Sequence, residues 1–76
     1  MSKIVCYGWN VGLKKIALIK YLNEECGYSL KEAKDLKDRL VDKDEIIELT
    51  VPRLEIDGNK ILLKLQELGV KCRLEN

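Results

Sequence analysis

The sequence predicts an α+β domain in the order β-α-α-β-α-β, a three-stranded antiparallel sheet with three helices on one face. Two observations indicate this fold. Three short segments alternate apolar and polar residues or concentrate β-forming residues, as strands do. Three longer segments repeat apolar residues every three or four positions, as helices do. The 76 residues suffice for one such unit, which we place over residues 1–76 as a single domain.

The first strand is predicted over residues 4–9, where Ile, Val, Cys, Tyr and Trp stand together until Asn10 and Gly12 end the run. The first helix is predicted over residues 14–26. Gly27 follows it in the position that glycine usually takes after a helix C-terminus.

The second helix is predicted to begin at Ser29. Its hydroxyl can accept from the amide of Glu32 while the Glu32 carboxylate reaches back, which is the S-x-x-E capping box. Apolar residues continue at helical spacing as far as Leu40, and the acidic stretch at residues 42–45 ends the helix.

The second strand is predicted over residues 47–51, where aliphatic and polar residues alternate. Pro52 interrupts or edges this strand because it has no backbone donor, and the alternation resumes with Leu54 and Ile56.

The pair Asp57-Gly58 has two interpretations, a hairpin turn or the start of a helix. We favour Asp57 as the cap of the third helix because apolar residues follow at helical spacing. Gly69 then ends this helix. The last strand is predicted over residues 70–75, where apolar residues alternate with charged ones.

The composition argues against an enzyme, a cofactor or a metal site. The sequence contains no histidine, the commonest general base and metal ligand. The formal net charge is +1, so there is no strong nucleic-acid signal. No apolar run is long enough to cross a membrane and no secretory leader is recognisable. We expect a cytoplasmic protein whose thiols, Cys6, Cys26 and Cys72, are buried structural residues.

The first helix carries more apolar residues than one buried stripe needs. Four of its residues fall within an arc of about 140° and form the predicted core stripe: Ala17, Leu18, Tyr21 and Leu22. Ile16 and Ile19 fall outside that arc, beside Lys20. An aliphatic pair next to a lysine on an outward face is typical of a docking surface. The alternative, that neighbouring loops cover both isoleucines, stays open at this point.

Two motifs on these helices resemble a known family. They are K-I-A-L-I-K at residues 15–20 and L-K-E-A-K-D-L at residues 30–36, with Gly27 between them and E-L-G-V at residues 67–70. The chain resembles the C-terminal domain of the bacterial ribosomal stalk protein, the L-seven/L-twelve family, from about residue 14 to residue 75. That domain has the same order of helices and strands.

The resemblance implies a protein-binding module that recruits translational GTPase factors through its first two helices. The family's contact positions fall here on Ile16, Ile19, Lys20, Leu30 and Lys34. Aliphatic side chains with flanking lysines suit an acidic-rimmed groove on a partner, where lysines steer the encounter and the aliphatic residues supply burial.

The chain also departs from the family. Asn23 stands where the family usually has Arg, and Ser29 where it usually has Gly. The segment from Leu36 to Asp57 is several residues longer. The family's N-terminal dimerisation helices and hinge are not recognisable in the sequence. We therefore expect a detached relative, a competitor for stalk ligands or a reused scaffold rather than an ordinary stalk subunit.

Two other functions are considered. Tyr7 and Trp9, with Arg73 and either Lys3 or Lys71, could stack on and clamp a nucleotide-like anion, although the same aromatics could simply pack on the sheet. The last strand also resembles, more weakly, the Clp protease adaptor that reads N-terminal degrons, but that adaptor's pocket uses a His and this chain has none.

A homodimer is expected from the first strand. Ile4 and Cys6 point to one face of the sheet, and Val5, Tyr7 and Trp9 to the other, so that both faces are largely apolar. A second copy could cover the face without helices. The alternative is that residues 40–54 fold back over it.

Overall fold

The computed structural model describes residues 2–50 and 54–75 of the chain. Its strands and helices follow the predicted order. Along the chain they are β1 (Lys3–Trp9), α1 (Lys15–Glu24), α2 (Leu30–Val41), β2 (Ile47–Leu49), α3 (Leu54–Leu68) and β3 (Val70–Glu75). The sheet is antiparallel with β1 in the middle, in the order β2-β1-β3. The predicted α+β class is confirmed.

The core lies between the sheet and the helices. Ile4 in β1 is opposite Leu49 in β2 and Leu74 in β3. Cys6 is likewise opposite Ile47 and a residue of β3. Because side chains alternate along a strand, these residues share the face on which the helices pack. Ile4 is 0% exposed, so the middle of β1 is the best-protected part of the sheet.

The three cysteines are buried free thiols, as predicted. Cys6 and Cys72 are opposite each other on β1 and β3. Their hydrogen bond, together with burial, raises the pKa of the Cys6 thiol, and the same bond lowers the pKa of the Cys72 thiol. All three thiols are thus small core residues, and those of Cys6 and Cys72 contact each other.

The outer face of the sheet carries a lattice of charges. The ammonium of Lys3 lies 3.0 Å from the carboxylate of Glu48, and the guanidinium of Arg73 lies 2.6 Å from the carboxylate of Glu75. Val5 is opposite Glu48 and Arg73, and it is only 3% exposed. The stems of these long charged side chains can cover an apolar neighbour while their charges stay in water. The chain thus buries Val5 with its own residues.

A β-bulge places Trp9 on a different face from the predicted one. The register between β1 and β3 shifts between Cys6 and Gly8, so that Trp9 is opposite Val70. Val70 is buried, and Trp9 packs half-buried against the core. An extra residue in one strand reverses the alternation of side chains beyond it. The prediction that Trp9 shares the outer face with Val5 and Tyr7 is therefore wrong.

The bulge and the charge lattice remove the main argument for a dimer across this face. Tyr7 is half exposed, and its ring lies 5.6 Å from the guanidinium carbon of Arg73. Of the three residues predicted to form an apolar patch on this face, Val5, Tyr7 and Trp9, Tyr7 is the one that the structure exposes there. Residues 47–49 pair as a short strand at the sheet edge instead of folding over the face. The homodimer stays a prediction, and this face no longer favours it.

The third helix begins earlier than predicted. Leu54 and Ile56, taken as a continuation of the strand pattern, lie in α3. Asp57, the predicted cap, lies inside this helix with φ −110° and ψ 21°, where two helical segments meet at a kink. Two apolar residues two positions apart would share one face of a strand, but Leu54 is 3% exposed and Ile56 is 88% exposed, as two residues about 200° apart on a helix can be. Val51 and Pro52 lie outside the described residues.

The predicted capping box at the start of α2 is present. The Ser29 hydroxyl accepts from the amide of Glu32 at 3.1 Å, and the Glu32 carboxylate accepts from the amide of Ser29 at 3.1 Å. Two of the helix's otherwise unpaired amides are thereby satisfied.

Replacing Ser29 with Ala should lower the free energy of unfolding by about 1 kcal/mol, because the acceptor for the Glu32 amide is lost. Ser29→Thr keeps a hydroxyl and should stay within a few tenths of a kcal/mol of the wild type. Urea denaturation followed by circular dichroism measures both. Equal midpoints for wild type and Ser29→Ala would contradict a stabilising cap.

The corner between α3 and β3 fixes the start of α1. Gly69 has φ +107°, and a Cβ atom there would lie 2.9 Å from the Cα atom of Leu13. The amide of Asn10 donates to the carbonyl of Gly69 at 2.8 Å, and that of Lys14 to the carbonyl of Leu68 at 3.0 Å. The loop before α1 therefore lies directly on this corner, which only glycine permits.

Gly69→Ala should lower the free energy of unfolding by about 3 kcal/mol, because the strain of a positive φ adds to a backbone clash. Gly12→Ala is the matched control. Gly12 also has a positive φ, +94°, but a Cβ atom there meets nothing within 4 Å. Its cost should be about 1 kcal/mol. Equal losses in thermal or urea denaturation would show that the close approach to Leu13 does not matter.

Candidate protein-binding site

Ile16 lies in the first turn of α1 with 84% of its surface exposed. The reason is the position of the buried stripe on this helix. Leu18 and Leu22, four residues apart on one side, are 2% and 1% exposed and pack into the core. Ile16 precedes Leu18 by about 200° of rotation at 100° per residue, so it points to solvent. The predicted exposure of Ile16 is confirmed.

Ile19 is only partly exposed. It packs against the core cluster from the edge of the buried stripe. Its position lies about 100° from Leu18, and contact with the neighbouring elements covers part of the side chain. The expectation of an entirely outward Ile16/Ile19 pair is therefore wrong for Ile19, which also contributes to the core.

The turn between α1 and α2 is closed by hydrogen bonds. The side-chain amide of Asn23 donates to the carbonyl of Tyr28 at 2.8 Å, and the amide of Tyr28 donates to the carbonyl of Leu22 at 3.2 Å. Gly27 between them has φ +84°, which glycine adopts without strain. Burial raises the pKa of Tyr28. Asn23, absent from the predicted site, thus holds the start of α2 in place.

Leu30 and Lys34 lie on the solvent side of α2. Leu30, the first residue of the helix, is 52% exposed, and Lys34 is exposed one turn later. Ala33 is fully buried and faces the core from the same helix. Helix α2 packs against α1. The α1–α2 pair thus carries Ile16, Lys20, Leu30 and Lys34 on its outer surface.

On this surface the exposed acids, Glu24, Glu25, Glu32 and Asp35, are slightly outnumbered by lysines. Five lysines are exposed on α1, on α2 and just before α1: Lys14, Lys15, Lys20, Lys31 and Lys34. No ion pair neutralises any of them within the described ranges 2–50 and 54–75. Lys15 opens the first turn of α1, which contains no acidic residue, although the helix dipole disfavours cations there.

Val11 was missed as a candidate. It is fully exposed on the turn that the Gly69 corner supports, a few residues before Ile16. The signal in the sequence was a β-branched residue between Asn10 and Gly12, where a polar turn residue is usual. Beside it, residues 13–17 line an open hollow of about 400 Å³ on α1.

The alternative site at Tyr7 and Trp9 is poorly suited to an anion. The bulge turns the two rings in different directions, since Trp9 packs toward the core and Tyr7 toward Arg73. The hollow that both line has Asp44 and Glu45 on its wall as well as a lysine. Carboxylates repel a phosphate group, so the geometry gives no support to the nucleotide-like ligand. Among residues 2–50 and 54–75, no group of side chains could hold a metal ion.

Sequence comparison with known proteins finds several relatives that are the same ribosomal protein. The large ribosomal subunit protein bL12 of Thermotoga petrophila is 41% identical over 64 residues, which are 84% of this chain and 48% of the relative. bL12 of Petrotoga mobilis is 38% identical over 73 residues, 96% of this chain and 54% of the relative. The chain is homologous to the ribosomal stalk protein bL12. No family model and no solved structure matches it.

The chain spans about half the length of the bL12 relatives it matches. Thermotoga maritima bL12, 38% identical, covers 84% of the chain. The relatives are named as ribosomal proteins, and homology to bL12 agrees with the prediction that the chain is not an enzyme. In the described part of the chain, no helix has both the length and the hydropathy to cross a bilayer.

Ile19→Asp should lower the free energy of unfolding by about 2 kcal/mol, because the charge replaces an aliphatic side chain packed on the core. Ile16→Asp should change it by less than about 0.5 kcal/mol, since it removes no packing and places an acid in the first helical turn. Urea denaturation of the two variants measures the difference. Equal stabilities would mean that Ile19 contributes nothing to the core.

Proposed function

We propose that this bL12 homologue binds a translational GTPase factor in the cytoplasm through the outer surface of α1 and α2. The observation that carries the proposal is Ile16, a large aliphatic side chain 84% exposed among lysines without ion pairs. Homology to a ribosomal protein supports a partner from translation. Ile16, Lys20, Leu30 and Lys34 would contact the factor, with Ile19 contributing through its exposed part.

Two kinds of side chain, aliphatic residues and lysines, contribute to binding in different ways. Burial of an isoleucine or leucine is worth about 1.5–3 kcal/mol, so Ile16 and Leu30 can supply most of the gain from removing apolar surface. The lysines act over longer range. They orient an acidic partner before contact and raise the association rate. Salt at about 0.1 M largely screens this attraction at separations greater than about 10 Å.

The turn between α1 and α2 fixes the position of one helix of the proposed surface relative to the other. The hydrogen bond from Asn23 to Tyr28 and the capping box at Ser29 fix where α2 begins. Leu30 immediately follows that cap. A rigid surface loses little conformational entropy when the partner binds, which favours affinity from a small number of contacts.

Ile16→Asp should weaken binding to a purified bacterial elongation-factor GTPase by about 2 kcal/mol, or roughly 30-fold in Kd. The lost burial and the new negative charge both act against an acidic groove. Ile56→Asp is the matched control, because Ile56 is 88% exposed on α3. It should bind like the wild type. Biolayer interferometry at two salt concentrations measures both variants.

Two results would contradict the proposal. One is wild-type affinity for Ile16→Asp while its circular dichroism spectrum is unchanged. The other is an association rate for Lys20→Glu that equals the wild-type rate at low salt, because the lysines would then not steer the factor.

A further inference from the structure

Helix α3 has an exposed stripe that the core does not use. Leu63 is 64% exposed in the middle of the helix, and Lys60 and Glu67 are exposed on either side of it. At 100° per residue these three positions fall within an arc of about 60°. Within the described residues, the structure shows no ion pair for Lys60 or Glu67.

The stripe borders a groove between α3 and α1. The groove has a volume of about 540 Å³, and Tyr21 of α1 lines it together with Ile61 and Leu63 of α3. Its charged wall residues are of both signs: Glu25, Asp57, Lys60, Lys64 and Glu67. Three acids and two bases give no uniform field, so neither a nucleic acid nor a strongly acidic peptide fits this groove.

We propose that a second copy of this chain docks on this stripe, with the two α3 helices antiparallel about a twofold axis near Leu63. In such an interface the same residues meet reciprocally. An axis midway between residues 63 and 64 places Lys60 opposite Glu67 of the second copy, and Glu67 opposite its Lys60. The two Leu63 side chains then come together beside the axis, with Lys64 about 100° around each helix from Leu63, and each stripe contributes one cation, Lys60, and one anion, Glu67.

The charges also select this arrangement over its neighbour. Moving the axis to a point between residues 59 and 60 would pair Ile56 with Leu63 of the second copy. It would also bring the two Lys60 ammonium groups together, which is unfavourable in a partly desolvated contact. In the favoured arrangement Ile56 lies opposite residue 71, beyond the end of the second copy's α3 at Leu68. Ile56 is thus outside the contact.

The dimer leaves the proposed factor-binding surface open. Tyr21 and Glu25, which face the groove, lie about 140° and 180° around α1 from Ile16. A dimer through α3 would therefore present two copies of the α1–α2 surface. The inference does not depend on the proposed function, because no step of it uses the factor.

The test measures the mass of the full chain by sedimentation equilibrium from 5 to 500 μM, at low salt. The wild type should shift from 8.8 kDa toward twice that mass. Leu63→Asp should stay monomeric over the whole range. Lys60→Glu should raise the dimer dissociation constant at least tenfold, and the double variant Lys60→Glu/Glu67→Lys should restore it, because the pairing is only exchanged. Circular dichroism confirms that each variant is folded.

Ile56→Asp is the control, since Ile56 is more exposed than Leu63 but outside the contact, and it should dimerise like the wild type. A wild type that is monomeric at 500 μM overturns the inference. So does a dimer that persists in Leu63→Asp, or one that Tyr7→Asp abolishes while Leu63→Asp does not, which would place the second copy on the outer face of the sheet.

Discussion

Strand β1 pairs on both sides, and this double pairing ties the sheet to its helical layer. The inward-facing residues Ile4 and Cys6 of β1 are each opposite one inward-facing residue of β2 and one of β3. Because the helices cover only one face, the inward-facing residues Ile4 and Cys6 are aliphatic or small and nearly free of solvent, whereas Trp9 at the end of β1 is half-buried. The same constraint leaves the opposite face to water. There the lattice around Lys3, Glu48 and Arg73 meets solvent with its charges and shields Val5 with its stems.

The one-sided layer also determines where binding surfaces can form. Three helices on one face each bury one stripe and expose the opposite side, so the exposed stripes of α1, α2 and α3 are what a partner would meet. On α1 and α2 the exposed charges are four lysines, among them Lys20 and Lys34, and three acids. On α3 they have both signs, as at Lys60 and Glu67. The small excess of lysines on α1 and α2 underlies the proposed acidic partner, and the opposite charges of Lys60 and Glu67 underlie the proposed contact between two copies.

The corner at Gly69 links the sheet to the α1–α2 surface. It sits between α3 and β3, and the loop before α1 hydrogen-bonds to its backbone. The close approach of Gly69 to Leu13 and the hydrogen bond from Lys14 to Leu68 place the first turn of α1, and therefore Ile16, against this corner. The chain matches about half the length of bL12. Within this chain, the corner contacts the loop that leads into α1, one of the two helices of the proposed site.

Local interactions made much of this structure readable from the sequence. The order of strands and helices, the capping box at Ser29, the turn at Gly27 and the exposure of Ile16 each depend on residues within a few positions of one another. Periodicity and capping chemistry act over that range. These features of the fold and of the candidate site were accordingly predicted.

The remaining features depend on contacts between distant residues. Trp9 turns to the core because a bulge fits β1 to β3, and Leu54 joins α3 because burial outweighs a short alternating pattern. Ile19 is half-buried because neighbouring elements reach the edge of its stripe. The sequence by itself determined which elements form and where α2 is capped. Only the tertiary structure decided strand register and the depth of burial, because both depend on which distant surfaces meet.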